Sequence, residues 1–289
     1  MDYLMNTKNS WFKGHGLGND YIVFNEDMIN FAFDKQRIMK ICDRHYGVGS
    51  DGILLKVKSS KADFGLKIFN PDGSLAEKSG NGLRIFADFL YTFKYATTNK
   101  FTIEVGNGVV TCEIIDCEGN VTNTLVDIGK ANFKSREIPV ICDEEQAIDI
   151  PIDINGEVLH FSMVSLGNPH AVCIVSSLSK EKILEVGSIV ENYDIFPHRI
   201  NVQMVEIIDK ENVKIEIWER GAGYTLASGS SSCAVASILL KKGLINNNVN
   251  VHMPGGTLKI SIDEQFNIKL LGPTEKVACG ILLWEEIKH

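Results

Sequence analysis

The hydrophobic positions fall into short alternating or β-rich stretches separated by polar turns, the period-2 signature of half-buried strands. Such stretches occupy residues 21–24, 64–69, 101–105 and 109–115, and again 159–164, 171–175, 201–208 and 213–218. Two segments switch to helical spacing. Leu83, Phe86, Phe89 and Leu90 follow the loop Ser79-Gly80-Asn81-Gly82, and Ala234, Ala236, Ile238 and Leu239 follow the loop from Ser228 to Ser232. Residues 34–45 and 179–191 read as two surface helices. Strands and helices mixed in this way predict an α/β (α+β) chain.

The pattern repeats. A shift of 149 positions carries Leu17-Gly18-Asn19 onto Leu166-Gly167-Asn168 and Ile68-Phe69-Asn70 onto Ile217-Trp218-Glu219. The same shift carries Ser79-Gly80 onto Ser228-Gly229, Ala87 onto Ala236, and Phe89-Leu90 onto Ile238-Leu239. One register linking separate blocks predicts two similar halves related by a pseudo-two-fold axis. Their junction is expected near residues 127–135.

A serine and a glycine opening a helix place free backbone N–H groups at the positive end of the helix dipole, where a carboxylate binds. Serine capping is the ordinary role of one such loop. Two loops in one register point instead to a shared anion site, with Ser79 and Ser228 projecting into it and Gly80, Asn81, Gly229 and Ser230 beside them. Asn19, Asn70, Asn168 and Asn201 stand at strand or loop ends, as turn residues do. Arg220 follows Glu219 and leads into the flexible Gly221-Ala222-Gly223. His170, taken alone, reads as a structural histidine.

Composition narrows the classes. The 289 residues are 44% hydrophobic and 23% charged, enough to bury real cores. Basic residues number 29 against 37 acidic, a net charge of -8 that argues against nucleic acid or an anionic membrane as partner. No apolar run is long enough to span a bilayer, and residues 1–10 lack the apolar core of a signal peptide, so the cytoplasm is the expected compartment. Seven scattered cysteines form no C-x-x-C pair, and the histidines no i, i+4 pair, so no disulfide framework and no metal is expected. Without a Gly-x-Gly-x-x-Gly fingerprint or a Walker loop, no cofactor is expected either.

Several blocks resemble one family: Gly14-His15-Gly16-Leu17-Gly18-Asn19-Asp20, Asp43-Arg44-His45-Tyr46-Gly47-Val48-Gly49-Ser50-Asp51-Gly52, Asn70-Pro71-Asp72-Gly73-Ser74 and Gly80-Asn81-Gly82-Leu83-Arg84. Gly167-Asn168-Pro169-His170, Arg199-Ile200-Asn201-Val202, Glu219-Arg220-Gly221-Ala222-Gly223, Pro254-Gly255-Gly256 and Gly272-Pro273 continue them. Together they resemble the diaminopimelate epimerases and, more widely, the cofactor-independent amino-acid racemases and epimerases. The resemblance implies two pseudo-symmetric domains, each a strand barrel around a central helix, with the active site in the cleft between them. Residues 1–128 are expected to form the first half, with 273–289 returning to it, and 129–272 the second.

The resemblance also implies the chemistry. One thiolate removes the α-proton of an amino acid and an opposite thiol returns a proton on the other face, without pyridoxal phosphate. In this chain Ser79 and Ser228 occupy both cysteine positions, so the chain as written is expected to be inactive or impaired. Two origins stand side by side: a paired replacement that keeps the shape of the site, or a natural divergent relative. Ser231 (for a second glycine), Tyr224 (for glutamate) and Lys78 are further departures that favour the second. Cys233 lies five residues beyond Ser228 and is not taken as a catalyst.

By the same resemblance, Asn70, Asn168, Asn201 and Arg220 bind the distal carboxylate of diaminopimelate, while Glu219 and His170 support the catalytic groups or the substrate amine. The implied partner is a small-molecule amino acid, in lysine and cell-wall precursor synthesis, and the implied assembly a homodimer. Tyr224 and His198 leave room for a racemase of another amino acid such as histidine. A protein that only binds its ligand and a related dehydratase complete the alternatives.

Overall fold

The computed structural model describes residues 7–76 and 78–283. The first part of the polar start (1–6), Glu77, and the end of the expected return segment (284–289) lie outside the described residues. By internal contacts the chain divides into two compact units. One runs to Asp127 and resumes at Gly272; the other is Ile128–Leu271.

The first unit contains, in chain order, β1 (Ser10–Gly16), β2 (Asn19–Asn25), α1 (Lys35–Cys42), β3 (Ile53–Val57), β4 (Phe64–Phe69), β5 (Leu75–Ala76), α2 (Gly80–Thr92), β6 (Lys100–Val105), β7 (Gly108–Glu118) and most of β8 (Val121–Lys130). The second holds β9 (Ile150–Ile154), β10 (Glu157–Ser165), β11 (Pro169–Ile174), α3 (Lys180–Glu191), β12 (Asn201–Asp209), β13 (Asn212–Glu219), β14 (Gly223–Thr225), α4 (Gly229–Lys241), β15 (Asn248–Met253) and β16 (Gly256–Ile262). The last strand, β17 (Asn267–Ile281), begins in the second unit and ends in the first.

The 149-residue shift that aligns the sequence blocks also aligns the elements. The clearest case is α2 and α4, 13 residues each, whose ends are both displaced by 149. Within the first unit the strands close a ring in the order β1, β2, β3, β4, β6, β7, β8 and β17, and β17 pairs back onto β1. The second unit repeats the order from β10 to β13, then β15 to β17. There the segment after β8 joins both ends, since Asn132 bridges Ser165 and the Ala131 N–H donates to the Phe266 carbonyl.

Parallel neighbours need a crossover, and each unit uses two. In the first, α1 links β2 to its parallel neighbour β3, and α2 lies between β4 and its parallel neighbour β6. The helices take different places because their faces differ. Only Ile38, Ile41 and Cys42 of α1 are buried, against Ile22, Phe24, Ile53 and Leu55. Every residue of α2 from Asn81 to Leu90 is buried, Arg84 and Asp88 included, so this helix is covered nearly all round and packs on β1, β2 and β7. The second unit repeats the division. Ile183, Val186 and Val190 of α3 cover Met163, Ala171, Cys173, Val202 and Met204. The α4 helix is buried from Ser231 to Leu239 and packs on β10, β11, β12 and β16. Gly187 lets α3 lie close on β13: a Cβ there would stand 2.5 Å from the Trp218 ring.

Strand β2 has residues from Asp20 to Asn25 buried, because helices cover both of its faces. Such a strand shows an apolar run rather than strict alternation. For the same reason the run Ile53-Leu54-Leu55 of β3 lacks a period-2 signal.

Candidate active site

Each unit builds the same element: a strand, a two-stranded hairpin, and a serine that caps a buried helix. In the first unit Ser79 has extended backbone (φ -138°, ψ 121°), and its Oγ accepts from the Gly82 N–H at 3.0 Å. In the second, Ser228 takes nearly the same conformation (φ -146°, ψ 124°), and its Oγ accepts from the Ser231 N–H at 3.4 Å. Both side chains therefore sit at the positive end of a helix dipole, with their oxygens already bonded to helix N–H groups.

Around Ser79, the Tyr21 hydroxyl donates to its Oγ at 3.3 Å. Asn81, buried in the first turn of α2, donates to Asn19 Oδ1 at 3.1 Å and accepts from Arg84 at 2.8 Å. Asn19 in turn donates to Asp51 at 3.0 Å. Arg84 also donates to the Gly80 carbonyl at 3.1 Å. Asp20 supports this corner: burial pushes its carboxyl up, but hydrogen bonds from Arg44 and Lys13 outweigh that and hold it at about 2. Asn70 stands apart. It opens the β4–β5 turn, and its amide donates to Ser74 Oγ at 3.0 Å.

In the second unit Asn168 donates to Ser230 Oγ at 3.5 Å, and its Oδ1 lies 3.1 Å from His170 Nε2. Ser230 Oγ is 3.5 Å from Ser228 Oγ. Asn201 joins this strand end to the hairpin: its amide donates to the Pro169 carbonyl at 2.8 Å and its Oδ1 accepts from the Arg220 N–H at 3.0 Å. Arg220, exposed, donates to the His198 carbonyl at 3.1 Å. Arg220, Gly221 and Ala222 form the β13–β14 turn, closed by the Glu219–Gly223 pair; Gly221 and Gly223 take φ of +79° and +81°, a region that favours glycine.

The turn is anchored from behind. The buried Glu191 carboxylate accepts from Trp218 Nε1 at 2.7 Å, the Gly221 N–H at 2.8 Å and Arg199 at 3.1 Å. Sequence reasoning missed Glu191, and it missed Tyr21 and Gln203. Tyr21 was within reach of the repeat, because the 149-residue shift carries it onto His170.

His170 is fully buried, and burial drives its pKa down to about 3; the nearby Arg220 charge pushes the same way while Gln203 opposes. The ring is therefore neutral near pH 7. An unfolded histidine takes its proton near 6.5, so stability present above that value is lost as the pH falls toward 3. Between pH 7 and 5 the parent is expected to lose about 2 kcal/mol more than His170→Gln. Urea unfolding at both values checks this, and equal losses would refute it.

Tyr224 packs on the α3 side of β14. Its ring lies 4.6 Å from Lys180 Nζ and against the core beneath α3.

A family model described as diaminopimelate epimerase matches residues 11–134 and 162–277. The chain is 44% identical over 276 residues to diaminopimelate epimerase 2 of Nostoc sp. strain PCC 7120, covering 95% of the chain and 96% of that protein. It is 36% identical over 281 residues to the diaminopimelate epimerase of Halothermothrix orenii, covering 96% and 99%. Among solved structures, a hydroxyproline epimerase from Agrobacterium vitis with bound trans-4-hydroxy-L-proline superposes with a TM-score of 0.71 at 12% identity, covering 94% of the chain and 90% of that one. A phenazine biosynthesis protein of the PhzF family from Bacillus anthracis gives 0.65 at 16%, covering 95% and 99%. At such identities the structural matches speak for the fold.

Proposed function

The chain belongs to the diaminopimelate epimerase family of isomerases, and from that premise we propose that it binds diaminopimelate in the family's manner but turns it over poorly or not at all. The observation that carries this reading is the serine-capped helix built twice in one register, at Ser79 and Ser228, where the family's cysteine pair is expected. Inversion of an α-carbon needs a base on one face and an acid on the other. A hydroxyl is a far weaker acid than a thiol, so neither serine supplies a ready base.

The binding groups are retained. On this reading the N–H groups that open α2 and α4 receive the α-carboxylate and the charge that builds there as the proton leaves. Asn70, Asn168, Asn201 and Arg220 hold the distal carboxylate, with Arg220 supplying the charge-assisted bonds. The neutral His170, with Glu219, serves the amine or the proton-transferring groups.

Arg220→Ala is expected to weaken binding of LL- and meso-diaminopimelate by about 1.5–3 kcal/mol, roughly 10- to 150-fold in Kd. Calorimetry on the chain as it stands measures this. Unchanged affinity would remove Arg220 from the distal carboxylate. Binding of histidine with no binding of diaminopimelate would instead favour a monoamino acid substrate.

A further inference from the structure

We propose that Gln203, anchored by Ser231, is a positioning residue that holds His170 as the tautomer protonated on Nδ1. The proposal deepens the epimerase reading and rests on it only for its catalytic consequence. Gln203, Ser231 and His170 are each fully buried. Gln203 Nε2 donates to Ser231 Oγ at 3.0 Å, which turns Oε1 the other way. Gln203 Oε1 and His170 Nδ1 are both buried without a hydrogen-bond partner. In the parallel β11–β12 pair His170 stands opposite Asn201, so Gln203 is its diagonal neighbour on the same face.

The other unit shows what this arrangement replaces. The 149-residue shift carries Tyr21, Leu54 and Gly82 onto His170, Gln203 and Ser231. There a Cβ on Gly82 would stand 3.1 Å from Leu54 Cδ2, so the space beside the cap is apolar and closed. The Tyr21 hydroxyl meets Ser79 directly. In the second unit a glutamine and a serine take the places of leucine and glycine together. A buried amide needs partners for both ends, and Ser231 and His170 supply them.

The unpartnered Gln203 Oε1 sets the direction, because it can only accept. A neutral ring carries one N–H. With Nδ1–H donating to Gln203 Oε1, Nε2 keeps its lone pair, which requires the Asn168 amide to turn over from the orientation described above: its nitrogen, in place of Oδ1, then donates to Nε2 and its oxygen faces Ser230. A directional chain follows, from Ser230 through Asn168, His170 and Gln203 to Ser231. It starts and ends in the first turn of α4, beside Ser228. The ring is thereby held with a fixed acceptor on the Asn168 side.

Nitrogen-15 NMR of histidine-labelled protein tests this, with the His170 signals assigned through His170→Gln. The parent is expected to show protonated Nδ1 and bare Nε2, and Gln203→Leu to lose that signature. A parent protonated on Nε2, or an unchanged tautomer in Gln203→Leu, would overturn the proposal. Gln203→Leu combined with Ser231→Gly recreates the apolar pair of the first unit and guards against misfolding. It is expected to regain the stability lost by Gln203→Leu without regaining the tautomer. In a chain also carrying Ser79→Cys and Ser228→Cys, the double change is expected to slow α-proton exchange ~10-fold or more. An unchanged exchange rate would remove the catalytic consequence. No exchange in that chain before the double change would count against the epimerase reading and leave the tautomer result standing.

Discussion

Replacing Ser79 and Ser228 together by cysteine is expected to raise the exchange of the α-proton of LL-diaminopimelate with heavy water by about 10⁴-fold over the chain with both serines. A thiol titrates near 8.5, and a helix N-terminus lowers it, so thiolate and thiol are both accessible near neutral pH. The surroundings suit a thiolate: the Gly82 N–H and Tyr21 hydroxyl reach the Ser79 side chain, and the Ser231 N–H reaches that of Ser228. Either cysteine alone is expected to restore much less, because inversion needs a base and an acid. Proton NMR follows the loss of the α-proton signal. Absence of exchange in the double replacement would reject diaminopimelate as substrate.

The second large effect concerns stability. Asp88→Ala is expected to cost about 3–5 kcal/mol, the range found when one member of a buried ion pair is removed. Asp88 is 1% exposed on α2 and receives hydroxyl hydrogen bonds from Thr92, Thr122 and Thr274. Lys276 Nζ lies 3.2 Å away with little exposure. Removing the carboxylate leaves that ammonium and three hydroxyls short of a partner. Guanidinium unfolding measures the loss, and Asp88→Leu with Lys276→Met is expected to recover part of it. A cost below about 1 kcal/mol for Asp88→Ala would show that water replaces the carboxylate.

The repeat was legible because it is a property of one register. The serine caps, both buried helices and the strands 64–69 and 213–218 follow from local capping chemistry and periodicity. Two strands of the fold show why others were not legible. Residues 53–55 are an apolar run buried on both faces, a pattern that strands and buried helices share. The strand Asn267–Ile281 contains Gly272-Pro273, which reads as a break, yet it continues through them with different partners on either side. The candidate site divided in the same way. The asparagines, Arg220 and His170 came from motifs, whereas Glu191 and Gln203 lie outside any motif and act through residues far away in the chain.

By itself, then, the sequence determined the repeat, the family, the capped helices and the serine at both cap positions, because each is written in neighbouring residues or in one constant spacing. Only the tertiary structure decided which buried polar groups meet: Asp88 with Lys276, Glu191 with Gly221, Gln203 with Ser231. The physical reason is burial. A polar group taken out of water must find its partner wherever the fold brings one, and sequence distance places no limit on where that is.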